Sequence, residues 1–352
     1  MSILNEKLKV GIAGYGVVGK RRRQFIDQNP YLKTVAVCDK TMKGSGVLED
    51  GVRYSRNYKE LLKTPLDILF VCLPNYLAAE VTMAGLEKGL HVFCEKPPGR
   101  TVEDVQRVIE VEKNHPKLKL KYGFNHRYHE SVKEALRIVQ SGTFGAIINI
   151  RGVYGKSKII PFSGGWRAKR KYAGGGILLD QGIHMLDLMQ LFCGEFTDVK
   201  SYVSNSYWHH DVEDNVYAIM RDKKNRIAML HSSATQWQHR FSLEITLTDG
   251  FLGLQGILSG TKSYGQEQLT KAGRSEDDIG TQKEEVINYL NDNSWRDEVN
   301  EFADAIVKDL SIRFGTSKEA LAAIELVYKI YSADREWKEK FLTEESAKVL
   351  TV

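Results

Sequence analysis

Two hydrophobic periods divide this chain near residue 124. Before that point, short continuous apolar runs alternate with stretches whose apolar residues recur at helical spacing. The runs 9–13, 34–38, 67–73, 90–94 and 118–124 read as strands buried on both faces. The intervals 20–28, 58–63 and 77–88, and the segment opened by Thr101, read as helices. Gly89 supplies a C-terminal stop, and Thr101 an N-cap with acidic residues behind it. Strand–helix alternation of this kind predicts a doubly wound parallel sheet over residues 1–124.

From 125 to 352 the pattern changes. A helix over 131–141 ends at Gly142, and the period then becomes two. In 146–154, Ile148, Ile150 and Gly152 fall on one face, with Ile147, Asn149 and Arg151 on the other. Segments 198–207, 216–221, 226–233 and 241–248 alternate likewise, bounded by turns such as Asp249-Gly250. This predicts an α+β domain on a largely antiparallel open sheet with one covered face. The charged tract from Lys271 to Glu285 reads as a mobile surface loop.

Composition narrows the class. At 352 residues the chain exceeds what one core usually supports, and 42% hydrophobic with 27% charged residues is ordinary globular usage. The net charge of +5 has its densest cluster at Lys20-Arg21-Arg22-Arg23. Without interleaved aromatics that cluster reads as a solvated helix face, and no nucleic-acid partner is expected. Cys38, Cys72, Cys94 and Cys193 form no CxxC pair, which points to reduced thiols and no metal site. The polar first nine residues hold no signal-peptide core, and the apolar runs are too short to span a membrane. A cytoplasmic protein is the expectation.

Three motifs carry chemistry. Gly14-Tyr15-Gly16-Val17-Val18-Gly19 lies between a strand and a helix, the context in which GxGxxG binds a dinucleotide. Gly14 permits the turn, Gly16 the approach of a pyrophosphate and Gly19 close helix packing. Asp39 ends the second strand at the spacing of the acid that binds the adenosine ribose. A carboxylate there favours NAD, while Lys40 and Lys43 keep NADP open. Glu95-Lys96 closes a strand before Pro97-Pro98, at the carboxyl end where open α/β sheets place ligands. Last, Gly174-Gly175-Gly176 feeds a helix on which Asp180 and His184 are one turn apart and Asp187 continues the row.

The order and spacing of these motifs resemble the GFO/IDH/MocA oxidoreductases, over roughly residues 8–335. The resemblance implies a Rossmann domain, and a C-terminal domain whose open sheet supports homodimers or homotetramers. It implies Lys96 as the catalytic lysine, completed by Asp180 and His184, with Leu73, Pro74 and Asn75 near the nicotinamide. Ala78 and Arg22 depart from it, standing where many members have histidine.

The expected activity is hydride transfer between nicotinamide and a secondary alcohol of a sugar, sugar acid or nucleotide sugar. In it His184 takes the proton, Lys96 stabilises the alkoxide and Asp180 orients the ring. Trp166 and Arg167, in the basic loop 156–172, suit an anionic sugar; a solvated loop or subunit contact suits them equally. Asn125, His126 and Arg127, after the last Rossmann strand, are further candidates for the cleft. A non-catalytic dinucleotide-sensing regulator of the same fold is the alternative, although it has no need of the Lys/Asp/His set.

Overall fold

The computed structural model describes residues 6–159, 164–259, 262–274 and 282–342. The chain forms two compact units, one of residues 1–125 with 295–321 and one of 126–294 with 322–352. A single boundary after residue 124 therefore misses the return of 295–321 to the first unit.

In the first unit, β1 (Leu8–Ala13), α1 (Val17–Gln28), β2 (Leu32–Cys38), β3 (Gly46–Val47), β4 (Arg53–Ser55) and α2 (Tyr58–Leu61) come first. They are followed by β5 (Ile68–Val71), α3 (Asn75–Glu87), β6 (His91–Glu95), α4 (Val102–Lys113) and β7 (Leu120–Gly123). The sheet order is β3-β4-β2-β1-β5-β6-β7. Every pair is parallel except β3 with β4. Thr101 caps α4 as expected, accepting from the Asp104 N–H at 3.2 Å. Phe70 and Phe93, adjacent on β5 and β6, stack at 4.7 Å, and Phe302 meets both edge-on. That aromatic contact anchors the returning segment to the sheet.

The second unit opens with a 3₁₀ turn, followed by α5 (Glu130–Ser141), β8 (Ile147–Ser157) and the short α6 (Arg170–Ala173). A π-helical turn (Leu178–Gly182) runs into α7 (Ile183–Cys193), and β9 (Phe196–Ser204), β10 (Asn215–Asp222), β11 (Ile227–Gln236) and β12 (Arg240–Leu247) follow. The remaining strands are β13 (Gly250–Gln255), β14 (Glu267–Gly273) and β15 (Glu285–Tyr289). Three helices close the chain: α8 (Ser294–Val307), α9 (Ser317–Ala333) and α10 (Arg335–Phe341).

The second sheet is ordered β15-β14-β13-β12-β8-β11-β10-β9 and is antiparallel except where β11 runs parallel to β8. α7 lies against β8, where Gly152 leaves room for Met185 and Met189.

Two expectations are corrected here. Ile147 is buried and Ile148 exposed, the reverse of a simple alternation with Ile150, because the β12–β8 register shifts between Thr246 and Leu247. Such a bulge moves the following side chains to the opposite face. The tract from Lys271 to Glu285 begins and ends in paired strands, with Lys271 and Glu285 opposite each other and ion-paired at 3.1 Å. The loop reading is thus corrected only at the two ends of the tract; its middle, residues 275–281, lies outside the described residues.

Candidate active site

The glycine loop is built to leave space. Gly14 sits at φ +93°, and a Cβ there would overlap the Cys72 carbonyl. A Cβ on Gly19 would overlap the Gly14 carbonyl, so α1 starts tightly against the loop. Nothing lies within 4 Å of a Cβ built on Gly16, the N-cap residue of α1. The first turn of α1 contains no acidic residue, and Val17 is 87% exposed. Its N–H groups and the positive end of the helix dipole face that opening.

Asp39, following β2, is fixed beside the loop. One oxygen accepts from the Tyr15 N–H at 3.0 Å, and the other from the N–H and hydroxyl of Thr41 at 3.0 and 2.8 Å. An open cradle, an uncrowded helix N-terminus and a fixed carboxylate at the end of β2 fit a nicotinamide dinucleotide. Lys40 is exposed, Leu73 and Pro74 are half-buried, and the buried Asn75 opens α3.

At the end of β6, Glu95 is buried and Lys96 half-buried. Glu95 Oε1 accepts from Arg22 Nε at 2.5 Å, and Arg22 Nη2 donates to Glu298 Oε2 at 2.6 Å. The guanidinium lies between the rings of Phe93 and Trp295, at 4.4 and 4.2 Å from their centroids. Arg22 is thus 0% exposed, which corrects the reading of the basic cluster as a solvated face. Burial opposes its charge, but Glu95 and Glu298 outweigh that and raise its pKa. Burial pushes Glu298 up to about 7 against the pull of Arg22 and Lys121. Glu298 and Trp295 come from α8, so no local motif announced them.

In the second unit one carboxylate organises the third motif. Glu213 is buried and accepts from the N–H groups of Gly176 at 2.7 Å and Leu178 at 2.9 Å, and from the Tyr331 hydroxyl at 2.7 Å. Its carbonyl takes the Ile177 N–H at 3.2 Å. Beyond this anchor Asp180 lies in the π turn, a feature common at functional sites. Its carboxylate is 3.2 Å from Lys156 Nζ and 3.9 Å from Arg167 Nε.

His184 is 4% exposed, and its ring stacks on that of His126 at 3.8 Å and 12°. Asp187, which continues the row along the helix, is engaged with a partner of its own. Asp187 is buried and holds Arg127 through two bonds of 2.8 and 2.6 Å. Asn125 is buried in the first unit, while Trp166 lies in a 3₁₀ turn under the Arg167 guanidinium at 4.4 Å. Residues 160–163 of the basic loop lie outside the described residues. Glu213 was not anticipated, since its partners are distant in sequence.

Among the described residues no group of three or more His, Cys, Asp or Glu could hold a metal, and no helix is long and apolar enough to cross a membrane. Residues 8–124 match the family model for the NAD-binding Rossmann fold of an oxidoreductase family, and residues 132–253 the GFO/IDH/MocA C-terminal domain. D-glucoside 3-dehydrogenase of Escherichia coli is 30% identical over 58% of this chain and 59% of its own length. Levoglucosan dehydrogenase of Pseudarthrobacter phenanthrenivorans is 27% identical over 56% and 54%. The chain therefore spans somewhat over half the length of these relatives. The solved levoglucosan dehydrogenase complex with NADH and levoglucosan shares the fold, with a TM-score of 0.79 at 19% identity over 94% of this chain and 98% of that one. With a matching family model on each unit, the chain belongs to the GFO/IDH/MocA oxidoreductases.

Proposed function

We propose that the protein is an NAD(P)-dependent oxidoreductase acting on a secondary alcohol of a sugar, with sugar acids and nucleotide sugars within its class. The carrying observation is His184, a buried imidazole one turn from Asp180 and stacked on a second imidazole. A dinucleotide sensor has no use for that arrangement, and the relatives are dehydrogenases by name.

Bound nicotinamide supplies the hydride acceptor. The first turn of α1 would hold the pyrophosphate and Asp39 the ribose hydroxyls. His184 takes the hydroxyl proton of the substrate, a task suited to an imidazole near neutral pH. Lys96, an ammonium at the end of β6, is the group we assign to stabilising developing alkoxide charge. Asp180, with Lys156 beside it, hydrogen-bonds ring hydroxyls and fixes the reacting carbon.

Lys96→Ala and His184→Ala should each lower turnover with a sugar substrate roughly 10²–10⁴-fold and leave NAD affinity unchanged. Steady-state kinetics with parallel cofactor titration checks this. Near-normal turnover in either variant removes that residue from the mechanism.

We further propose self-association through the uncovered face of the second sheet. Tyr217 of β10 pairs across strands with Tyr202 and His231, and Ile219 with Met229. Tyr202 is 81% exposed there, beside exposed Tyr217 and Ile219. An apolar patch of this kind marks an interface. Light scattering should give at least a dimer for the wild type and a smaller species for Ile219→Lys; a monomeric wild type defeats the proposal.

A further inference from the structure

The His126–His184 stack has a consequence that rests on the role proposed for His184. Both rings are buried, and their centroids are 3.8 Å apart. Two imidazolium ions at that separation repel strongly in a poorly solvated site, so the pair takes up one proton far more readily than two.

The surroundings decide which ring receives it. His126 Nε2 lies 3.1 Å from the Tyr154 hydroxyl. Tyr154 in turn bonds Tyr264, whose hydroxyl is 2.8 Å from Gln181 Nε2 and 3.2 Å from Gln181 Oε1. Because Gln181 offers both a donor and an acceptor, this chain can run in either direction. Tyr154 can therefore donate to a neutral His126 or accept from a protonated one.

The other ionisable groups around the stack are already engaged. His129, edge-on to His126, has Nδ1 2.7 Å from Glu267, Asp187 holds Arg127, and Asp180 has Lys156. Burial drives Tyr154 and Tyr264 upward, so both remain hydroxyls at working pH. His239, edge-on to Tyr264, is held below its ordinary value by burial and by Lys156.

We propose that His126 is a positioning residue that takes the first proton entering the stack and so keeps His184 in its neutral, proton-accepting form at lower pH. No bond is made or broken beyond that proton transfer from solvent. His126→Phe keeps a flat ring against His184 and removes the competing site. The acid limb of the kcat/KM profile should then move to higher pH by about one unit or more, because His184 no longer has a cationic neighbour. Tyr154→Phe should move it the same way by less.

A second readout needs no turnover. In the wild type, the Cε1–H resonances of His126 and His184 should titrate as a coupled pair in NMR, while His126→Phe should leave His184 with a single step at higher pH. Independent one-step curves in the wild type, or an unmoved acid limb in His126→Phe, overturn the proposal. Full turnover in His184→Ala would sink the base assignment instead, and the NMR coupling would still judge the stack.

Discussion

The chain enters a helix through glycines twice, and the two entrances do opposite things. At Gly14–Gly19 the N-cap is a bare glycine, and the space a side chain would take at Gly16 is open. At Gly174–Gly176 the corresponding N–H groups are occupied by Glu213, which takes those of Gly176, Ile177 and Leu178. Both entrances present a helix N-terminus that favours an anion. In the first the donors are left open, and the anion we propose for them is the dinucleotide pyrophosphate. In the second it is the protein's own buried carboxylate, and the result is a fixed platform for Asp180 and His184. A glycine-rich entry is therefore a ligand site only where its donors are left for a ligand.

The largest effect that would break this comparison is at Gly176. A Cβ there would collide with the backbone of Glu213, which has little freedom to move. Gly176→Ala should cost about 3 kcal/mol, the upper range for overpacking, and leave NAD affinity alone. Glu213→Gln should cost less, roughly 1–3 kcal/mol, because one buried N–H keeps an acceptor and another loses it.

Glu213 also sets a pH signature. Burial raises its folded pKa above the ordinary glutamate value, so the folded state binds more protons than the unfolded one. Stability from this group is present below the unfolded pKa and declines as pH rises through the raised value. Denaturant melts across that window should show the decline in the wild type and lose it in Glu213→Gln; an unchanged slope would remove Glu213 from this account.

How much of this could be read beforehand follows the same division. The glycine loop, Asp39 and the strand ending at Glu95-Lys96 were legible because their meaning lies in short spacings and in the 2.0 and 3.6 periods. Arg22 was misread because its partners Glu298 and Trp295 belong to α8, which returns from the far end of the chain. Helical spacing put Asp187 in the row of Asp180 and His184 but could not show that it holds Arg127. Glu213 carried no signal at all, since an acid before a strand has no local motif. The inverted faces of Ile147 and Ile148 arise from a bulge, which a two-residue period cannot encode.

The smallest effect on stability should come from Gly16, and it tests the comparison from the other side. Gly16 has a negative φ of −79°, which any residue adopts, and no atom lies within 4 Å of a Cβ built there. Gly16→Ala should therefore fold with a melting temperature within experimental scatter of the wild type. If the gap exists for a pyrophosphate, the added methyl occupies the path by which the phosphate reaches the first-turn N–H groups. NAD affinity, measured by calorimetry or nicotinamide fluorescence, should then fall by about tenfold or more, equivalent to roughly 1.4 kcal/mol. The same methyl that only unfolds at Gly176 would only unbind at Gly16. A Gly16→Ala protein that binds NAD as the wild type does would mean that the open cradle is not where the phosphates sit, however well the glycine spacing reads.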